Sequence, residues 1–185
     1  MTEAVVIRTL PLREYDRLVV LYSRELGRTA AIAKGALRTT SRQGIALDDG
    51  NIIRCHLVPG RTGLALMTGA QAQRSWANCK QSPAAWAVAS FFLEVIDAVV
   101  YDGQPDEALW DALVSILGSL DAGTEEPLAI LRRGQVRLLE VLGYGTHPMP
   151  IVAAVRSSLD DQFERIAQRQ LDSIGLMYQV ASSRR

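Results

Sequence analysis

Few side chains in this chain of 185 residues have the type and spacing that catalysis needs. Glu94 and Asp97 are spaced i, i+3 inside an apolar run, so a helix would place both carboxylates on one face. An acid pair or metal site is one interpretation; pairing with arginines at a domain interface is the other, and we favour it. His56 and His147 lie far apart in the sequence without ligand spacing. Because no nucleophile with a neighbouring base is recognisable, we expect a protein that is not an enzyme.

Cofactor and metal motifs are also missing from the sequence. The stretch from Gly27 to Gly35 comes nearest to a phosphate-binding loop, but it has no second glycine before Lys34 and no Ser or Thr after Lys34. Cys55 and Cys79 are too few for a four-cysteine zinc site or a disulfide framework. We therefore expect neither a cofactor nor a bound metal.

The charged residues are divided unevenly between the two halves of the chain. Residues 1–80 hold twelve Lys and Arg against six Asp and Glu, a net charge of +6, whereas residues 81–185 hold eight against fourteen, a net −6. This asymmetry indicates a polyanionic partner for the first half, with a solvated basic face as the alternative. The candidate nucleic-acid contacts are Arg8, Arg13, Arg17, Lys34, Arg38, Arg42, Arg54 and Arg61.

Five short β-rich runs organise the first 75 residues. They cover residues 4–10, 18–22, 28–34, 51–58 and 64–71. In the fourth run, alternation puts Ile53 and Cys55 on one face and Arg54 and His56 on the other. Five short strands with one long loop between the third and fourth predict a five-stranded Greek-key barrel of OB type, and a small SH3-like barrel is the other candidate.

The pattern changes to helical near residue 82. Ser82-Pro83 predicts a helix start, and helices are expected over residues 83–101, 105–120, 126–142 and 158–173. The first is apolar nearly all round, which is typical of a buried central helix. The predicted fold class is therefore α+β, with a barrel domain over residues 1–80 followed by an α-helical domain over residues 81–185.

The third predicted helix carries a basic cluster in an otherwise acidic domain. Arg132, Arg133 and Arg137 lie near an apolar stripe of leucines, and Arg133 and Arg137 are one turn apart. Like charges at i, i+4 repel each other modestly, and an anionic partner would relieve that repulsion. Pairing with nearby acids such as Glu126 or Glu140 is the alternative, so both interpretations stay open.

The chain shows no pattern of membrane insertion or export. Its most apolar stretch, residues 84–101, contains Glu94 and Asp97, whereas a membrane span needs about 20 apolar residues without such charges. The first residues lack a basic segment followed by an apolar one, so no signal peptide is expected. We expect a cytoplasmic protein.

Several segments together resemble the RecO family of bacterial recombination mediators. The first extends from Arg8 to Gly27, and the second consists of Ala33-Lys34-Gly35-Ala36-Leu37-Arg38 with Ser41-Arg42. Phe91-Phe92-Leu93-Glu94 and the segment Arg137–Tyr144 also resemble the family. Order and spacing agree over about residues 4–144, and the resemblance agrees with the barrel-plus-helices prediction.

The resemblance implies a DNA repair and recombination role without catalysis. RecO-like proteins bind single- and double-stranded DNA, anneal complementary strands, and work with RecR to load RecA onto DNA covered by single-stranded DNA-binding protein. Their helical domain holds the acidic C-terminal tail of that protein, for which Arg132, Arg133 and Arg137 are the candidate contacts here. A bacterial, nucleoid-associated location follows from the same resemblance.

The sequence departs from the family pattern after the third predicted helix. Many members carry a four-cysteine zinc site there, but residues 145–150 contain no cysteine, so zinc is expected to be absent. The C-terminal part is also shorter than is usual in the family.

Stacking faces and a basic loop fit single-strand binding in the barrel half. Tyr15, Tyr22 and His56 carry rings on which bases stack, although Tyr22 shares its face with apolar residues and is expected in the core. The loop over residues 35–51 contains Arg38 and Arg42 among small polar residues, and we expect it to be flexible.

Two other functions compete with DNA mediation. An RNA- or ribosome-associated barrel protein is one, because OB folds serve both nucleic acids; comparing affinities for DNA and RNA oligonucleotides of one sequence separates the two. A small hydrolase or transferase that uses Glu94 and Asp97 is the other.

Overall fold

The computed structural model describes residues 1–60 and 64–144, together with Phe163 and Ala167. The chain divides into two compact units. The barrel unit comprises Met1–Trp76 and the segment Val100–Glu107, and the helical unit comprises Ala77–Val99 and the chain from Ala108 onward. A segment that follows the first long helix thus joins the unit built mainly from the first 76 residues.

Five strands close into a barrel, as the sequence predicts. They are β1 (Thr2–Pro11), β2 (Arg17–Ser23), β3 (Gly27–Ala33), β4 (Ile52–Val58) and β5 (Ala65–Arg74). The strand order around the barrel is β1-β2-β3-β5-β4. All neighbouring strands are antiparallel except β3 and β5, which pair in parallel. This topology confirms the OB-type barrel and with it the α+β class.

The barrel interior is filled by alternate residues of the strands. Val19 and Leu21 of β2 and Ile53 and Cys55 of β4 belong to one buried apolar cluster. Arg54 and His56 lie on the exposed face of β4. The two faces predicted for β4 are therefore confirmed.

The connection between β3 and β4 is anchored to the barrel. It contains the short helix α1 (Arg42–Ala46), whose N-cap Ser41 accepts a hydrogen bond at its Oγ from the backbone N–H of Gly44 at 3.2 Å. Three apolar residues of this connection, Ala36, Ala46 and Leu47, are buried in the barrel cluster. The prediction of a flexible loop over residues 35–51 is wrong, because these side chains pack inside the barrel.

The segment 100–107 covers part of the β2–β3 hairpin. Gly103 donates its backbone N–H to the carbonyl of Arg28 at 2.9 Å, and the Arg28 guanidinium pairs with Asp102. Tyr22, on the opposite face of β2 from Val19 and Leu21, is fully buried and donates its hydroxyl to the carbonyl of Asp106 at 3.0 Å. Burial raises the pKa of the Tyr22 hydroxyl to about 12. Tyr22 is thus buried, as expected, and presents no stacking face.

In the described part of the chain up to Tyr144, four helices follow the barrel strands. They are α2 (Ala77–Gln81), α3 (Pro83–Val99), α4 (Glu107–Ala122) and α5 (Pro127–Val141). The last three were predicted to within a few residues, whereas α2 was not. The helix predicted over residues 158–173 lies outside the described residues, apart from Phe163 and Ala167, which are helical. Among the described helices, none is long and apolar enough to cross a membrane.

Helix α3 is the buried centre of the helical unit, as predicted. Phe91 and Phe92 are fully buried and meet edge to face, with ring centroids 5.1 Å apart. Helix α5 approaches α3 closely at Gly134, where an added Cβ would lie 2.5 Å from Cζ of Phe92. The absence of a side chain at Gly134 therefore allows α5 to pack against α3.

Candidate nucleic-acid interface

Most of the candidate contacts collect at one end of the barrel. Arg17 opens β2 and pairs with Pro11 of β1 and with Ala33 of β3, so the end of β1, the start of β2 and the end of β3 meet there. The β1–β2 turn and the start of the β3–β4 connection extend beyond that end. The cations of these two segments, which we call the basic rim, are Arg13, Arg17, Lys34, Arg38 and Arg42.

Backbone hydrogen bonds join the two segments of the basic rim. Gly35 donates its N–H to the Asp16 carboxylate at 2.9 Å, and Leu37 donates its N–H to the carbonyl of Tyr15 at 2.9 Å. Leu12 donates its N–H to the carbonyl of Asp16 at 3.0 Å, which closes the β1–β2 turn. The two segments therefore form one surface, joined by one backbone–backbone hydrogen bond and by one hydrogen bond to the Asp16 side chain.

The side chains of the basic rim are mostly exposed. Arg17 is half-buried and donates from Nη1 to the carbonyl of Gly44 at 3.3 Å, which ties β2 to α1. Arg13, Lys34, Arg38 and Arg42 are exposed. Long cationic side chains that reach into solvent are suited to phosphate contacts.

The basic rim keeps a positive charge. Within residues 12–17 and 34–42, the five cations face only two carboxylates, Glu14 and Asp16. The Asp16 carboxylate is already engaged by the backbone of Gly35. A net charge of +3 over these two short segments makes this end of the barrel a candidate for polyanion binding.

Two of the other three candidate contacts lie elsewhere in the barrel. Arg8 is half-buried within β1, opposite Val20 of β2. Arg54 is exposed on β4 and pairs across the sheet with Glu3 of β1, whose charge opposes its own. Arg61 lies outside the described residues. The structure therefore brings five of the eight candidates together in the basic rim and leaves two of them apart from it.

Two other arginines of the first half are compensated by the segment 100–107. Arg24 pairs with Glu107, its Nη2 lying 3.1 Å from Oε1, and Arg28 pairs with Asp102. These two arginines account for part of the net +6 of the first 80 residues. Both pairs lie near the opposite end of the barrel from the basic rim, so neither of them compensates a cation of the rim.

The three basic residues of α5 all have partners within the helical unit. Arg133 makes a two-point contact with Glu125, with nitrogen–oxygen distances of 2.6 and 3.0 Å. This contact lowers the pKa of the Glu125 carboxyl and raises that of the Arg133 guanidinium. Arg137 lies 3.6 Å from Glu140, and Arg132 donates to the Gln135 side chain at 2.8 Å. The pairing interpretation of this cluster is thus supported, with Glu125 as a partner that the sequence did not suggest.

The carboxylates and thiols do not form a metal site in the described part of the chain. Glu94 and Asp97 are half-buried and each has a polar or electrostatic interaction. Among the described residues, no group of three His, Cys, Asp or Glu could hold a metal ion. Burial raises the pKa of the Cys55 and Cys79 thiols to about 11, so both stay protonated at neutral pH. His147 and the run 145–150 lie outside the described residues.

The closed barrel with a basic rim, joined in sequence to a helical unit, defines an OB-fold protein with a helical domain. Residues 1–76 match the family model described as Recombination protein O N terminal, and residues 80–147 match the one described as Recombination protein O C terminal. The chain therefore belongs to the RecO family, which confirms the resemblance seen in its sequence.

Curated relatives agree with the family models. The chain is 35% identical over 144 residues to the DNA repair protein RecO of Geobacter metallireducens, covering 77% of this chain and 58% of the relative. It is 33% identical over 142 residues to that of Geobacter sulfurreducens, with coverage of 77% and 58%. It is 34% identical over 147 residues to that of Frankia casuarinae, with coverage of 77% and 59%. The chain thus spans a little under three fifths of the length of these relatives.

Proposed function

We propose that the chain is a DNA repair and recombination mediator that binds single- and double-stranded DNA and anneals complementary strands. In this role it assists the loading of RecA, together with RecR, on DNA coated by single-stranded DNA-binding protein. The observation that carries the proposal is the basic rim on a closed OB-type barrel in a chain of the RecO family. The role is one of binding and needs no catalytic group.

The chemistry of the basic rim suits a DNA strand that is held by its phosphates. Each phosphate that a Lys or Arg neutralises releases condensed counterions, which favours binding of any sequence. Exposed cations on two short segments fix the backbone of a strand without reading its base edges. This arrangement suits a mediator that anneals strands, because the base edges stay available for pairing with the complementary strand.

Strand annealing by the full chain tests the proposal. The rim variant Arg38→Glu/Arg42→Glu should weaken binding of single strands by at least about tenfold and slow annealing, because it replaces two cations by anions. The matched control Arg133→Glu/Arg137→Glu makes the same change of net charge in the helical unit. We expect the control to bind DNA within about twofold of the wild type.

Two results would contradict this function. A rim variant that binds and anneals within about twofold of the wild type would exclude the basic rim from the DNA path. Clearly tighter binding of an RNA oligonucleotide than of the DNA oligonucleotide with the same sequence would favour the RNA-associated alternative. Annealing of strands precoated with single-stranded DNA-binding protein, with and without RecR, tests the mediator part of the proposal.

A further inference from the structure

Tyr15 is an exposed aromatic residue within the turn that forms half of the basic rim. Tyr15 comes directly after Arg13 and Glu14 in the β1–β2 turn, and 45% of the residue is exposed to solvent. Aromatic side chains that emerge among cations are the groups on which unpaired bases stack. The position of Tyr15 therefore differs from that of Tyr22, which is buried.

The Arg38 guanidinium lies over the ring of Tyr15. Its central carbon is 5.2 Å from the ring centroid, within the range of a cation–π contact. The contact links the β1–β2 turn to the β3–β4 connection through side chains. It also places a phosphate-binding group next to an aromatic ring, so that one nucleotide can contact both through its base and its phosphate.

The main chain holds Tyr15 in place before any ligand arrives. The carbonyl of Tyr15 accepts the N–H of Leu37 at 2.9 Å, and the neighbouring Asp16 carboxylate accepts the N–H of Gly35 at 2.9 Å. A group that is already ordered loses less conformational entropy when it binds. The backbone that carries the Tyr15 ring is therefore fixed beside the segment that carries Arg38.

We propose that Tyr15 and Arg38 form a stacking platform for one unpaired base, which makes the basic rim prefer single-stranded over double-stranded DNA; this inference rests on the function proposed above. In a duplex, each base is already stacked on its neighbours and paired, so only phosphate contacts remain for the rim. In a single strand, an exposed base face stacks on the tyrosine ring. Because every base has such a face, the preference is independent of sequence.

The test is the variant Tyr15→Leu in the full chain, with affinities measured for an oligo-dT single strand and for a blunt duplex. Single-strand affinity should fall about 5- to 20-fold, as expected for one lost base stack, while duplex affinity stays within about twofold. Tyr15→Phe keeps the ring and should bind both like the wild type. Tyr101→Leu is the matched control, because Tyr101 is 75% exposed on the segment 100–107, outside the basic rim.

Fluorescence gives a second readout that depends on stacking itself. A single strand with one 2-aminopurine should lose fluorescence on binding to the wild type and to Tyr15→Phe, because stacking quenches this base. Saturating Tyr15→Leu should leave more of the fluorescence. If Tyr15→Leu only rearranged the rim, strands bound by saturating Tyr15→Leu and by saturating Tyr15→Phe would show equal quenching.

Three results would overturn the inference. Unchanged single-strand affinity of Tyr15→Leu would exclude stacking on this ring. Equal losses for single strand and duplex would mean that Tyr15 only holds the rim in shape. A wild-type chain that binds neither DNA would contradict the proposed function, and the platform with it; the first two results leave that function intact.

Discussion

Because Gly27 has no side chain, two segments that are far apart in the sequence can come into close contact there. Its φ of +64° is in the left-handed region, and a Cβ added there would lie 2.3 Å from the backbone carbonyl of Gln104. Gly103, on the segment that covers the hairpin, also has a positive φ, of +72°, but a Cβ added to it would meet nothing within 4 Å. A side chain at Gly103 would meet only backbone strain, whereas a side chain at Gly27 would meet both backbone strain and steric overlap.

Substitution of these glycines by alanine should therefore have unequal effects on the free energy of unfolding. Gly103→Ala carries only the left-handed penalty, about 1 kcal/mol. Gly27→Ala adds a clash with main-chain atoms that cannot rotate away, so we expect a loss of about 3 kcal/mol or more. Urea unfolding measures both variants. Equal losses would mean that the segment 100–107 moves aside without cost.

Whether a residue is buried or exposed could be predicted from the sequence where the local pattern of neighbouring residues determines it. Alternation along β4 was enough to place Ile53 and Cys55 inside the barrel. The pairing of Arg28 with Asp102 was not predictable, because the two residues are 74 positions apart and no local pattern links them. For the same reason, the sequence did not show which of the twelve cations near the N-terminus are already compensated.

At the scale of elements, the missed helix α2 depends on a distant partner. Helix α2 has only five residues, and the Asp121 carboxylate of α4 accepts the backbone N–H groups of Asn78 and Cys79 at 2.9 and 3.0 Å. Because the capping residue is more than 40 positions away in the sequence, the residues next to α2 carry no capping signal. The longer helices α3, α4 and α5 were predictable, because their apolar residues recur along one stretch of chain.

Helix α5 is where the partner interpretation is open to test. If Arg133 and Arg137 hold the acidic tail of single-stranded DNA-binding protein, that tail must compete with Glu125 for Arg133. Titration with a tail peptide should show loss of binding in Arg133→Glu/Arg137→Glu and about two- to fivefold tighter binding in Glu125→Gln, which removes the competing charge.

The rim variant Arg38→Glu/Arg42→Glu is the matched control for this titration, since it changes the net charge equally in the other unit. It should bind the tail peptide like the wild type. Equal peptide affinity of all variants would place the tail site away from Arg133 and Arg137.

At the scale of the whole molecule, a net charge of zero conceals two units of opposite sign. The barrel closes through the parallel pairing of Ala31–Ala33 with Ala65–Met67, a contact between strands that are far apart in sequence. The number and order of the strands were predictable, whereas this closure was only inferred. The position of the rim cations follows instead from the antiparallel pairing of β1 with β2 and of β2 with β3, which brings those strand ends together.

Salt dependence measures how many phosphates the molecule neutralises. The basic rim has five cations. If about four to six phosphates are contacted, the plot of log K against log salt should have a slope near −3 to −4 on single strands. The rim variant Arg38→Glu/Arg42→Glu should give a shallower slope. A flat slope for the wild type would contradict electrostatic binding by the rim.

The segment 100–107 also has a consequence for synthesis on the ribosome. The barrel unit is interrupted by α2 and α3, so its last part is translated about 30 residues after Trp76, a delay of roughly 2 to 6 s at ordinary elongation rates. Until then, the nascent β2–β3 hairpin has neither the cover over Tyr22 nor the acidic partner of Arg28. The N-terminal unit therefore reaches its final stability only after the ribosome has made both α2 and α3 of the helical unit.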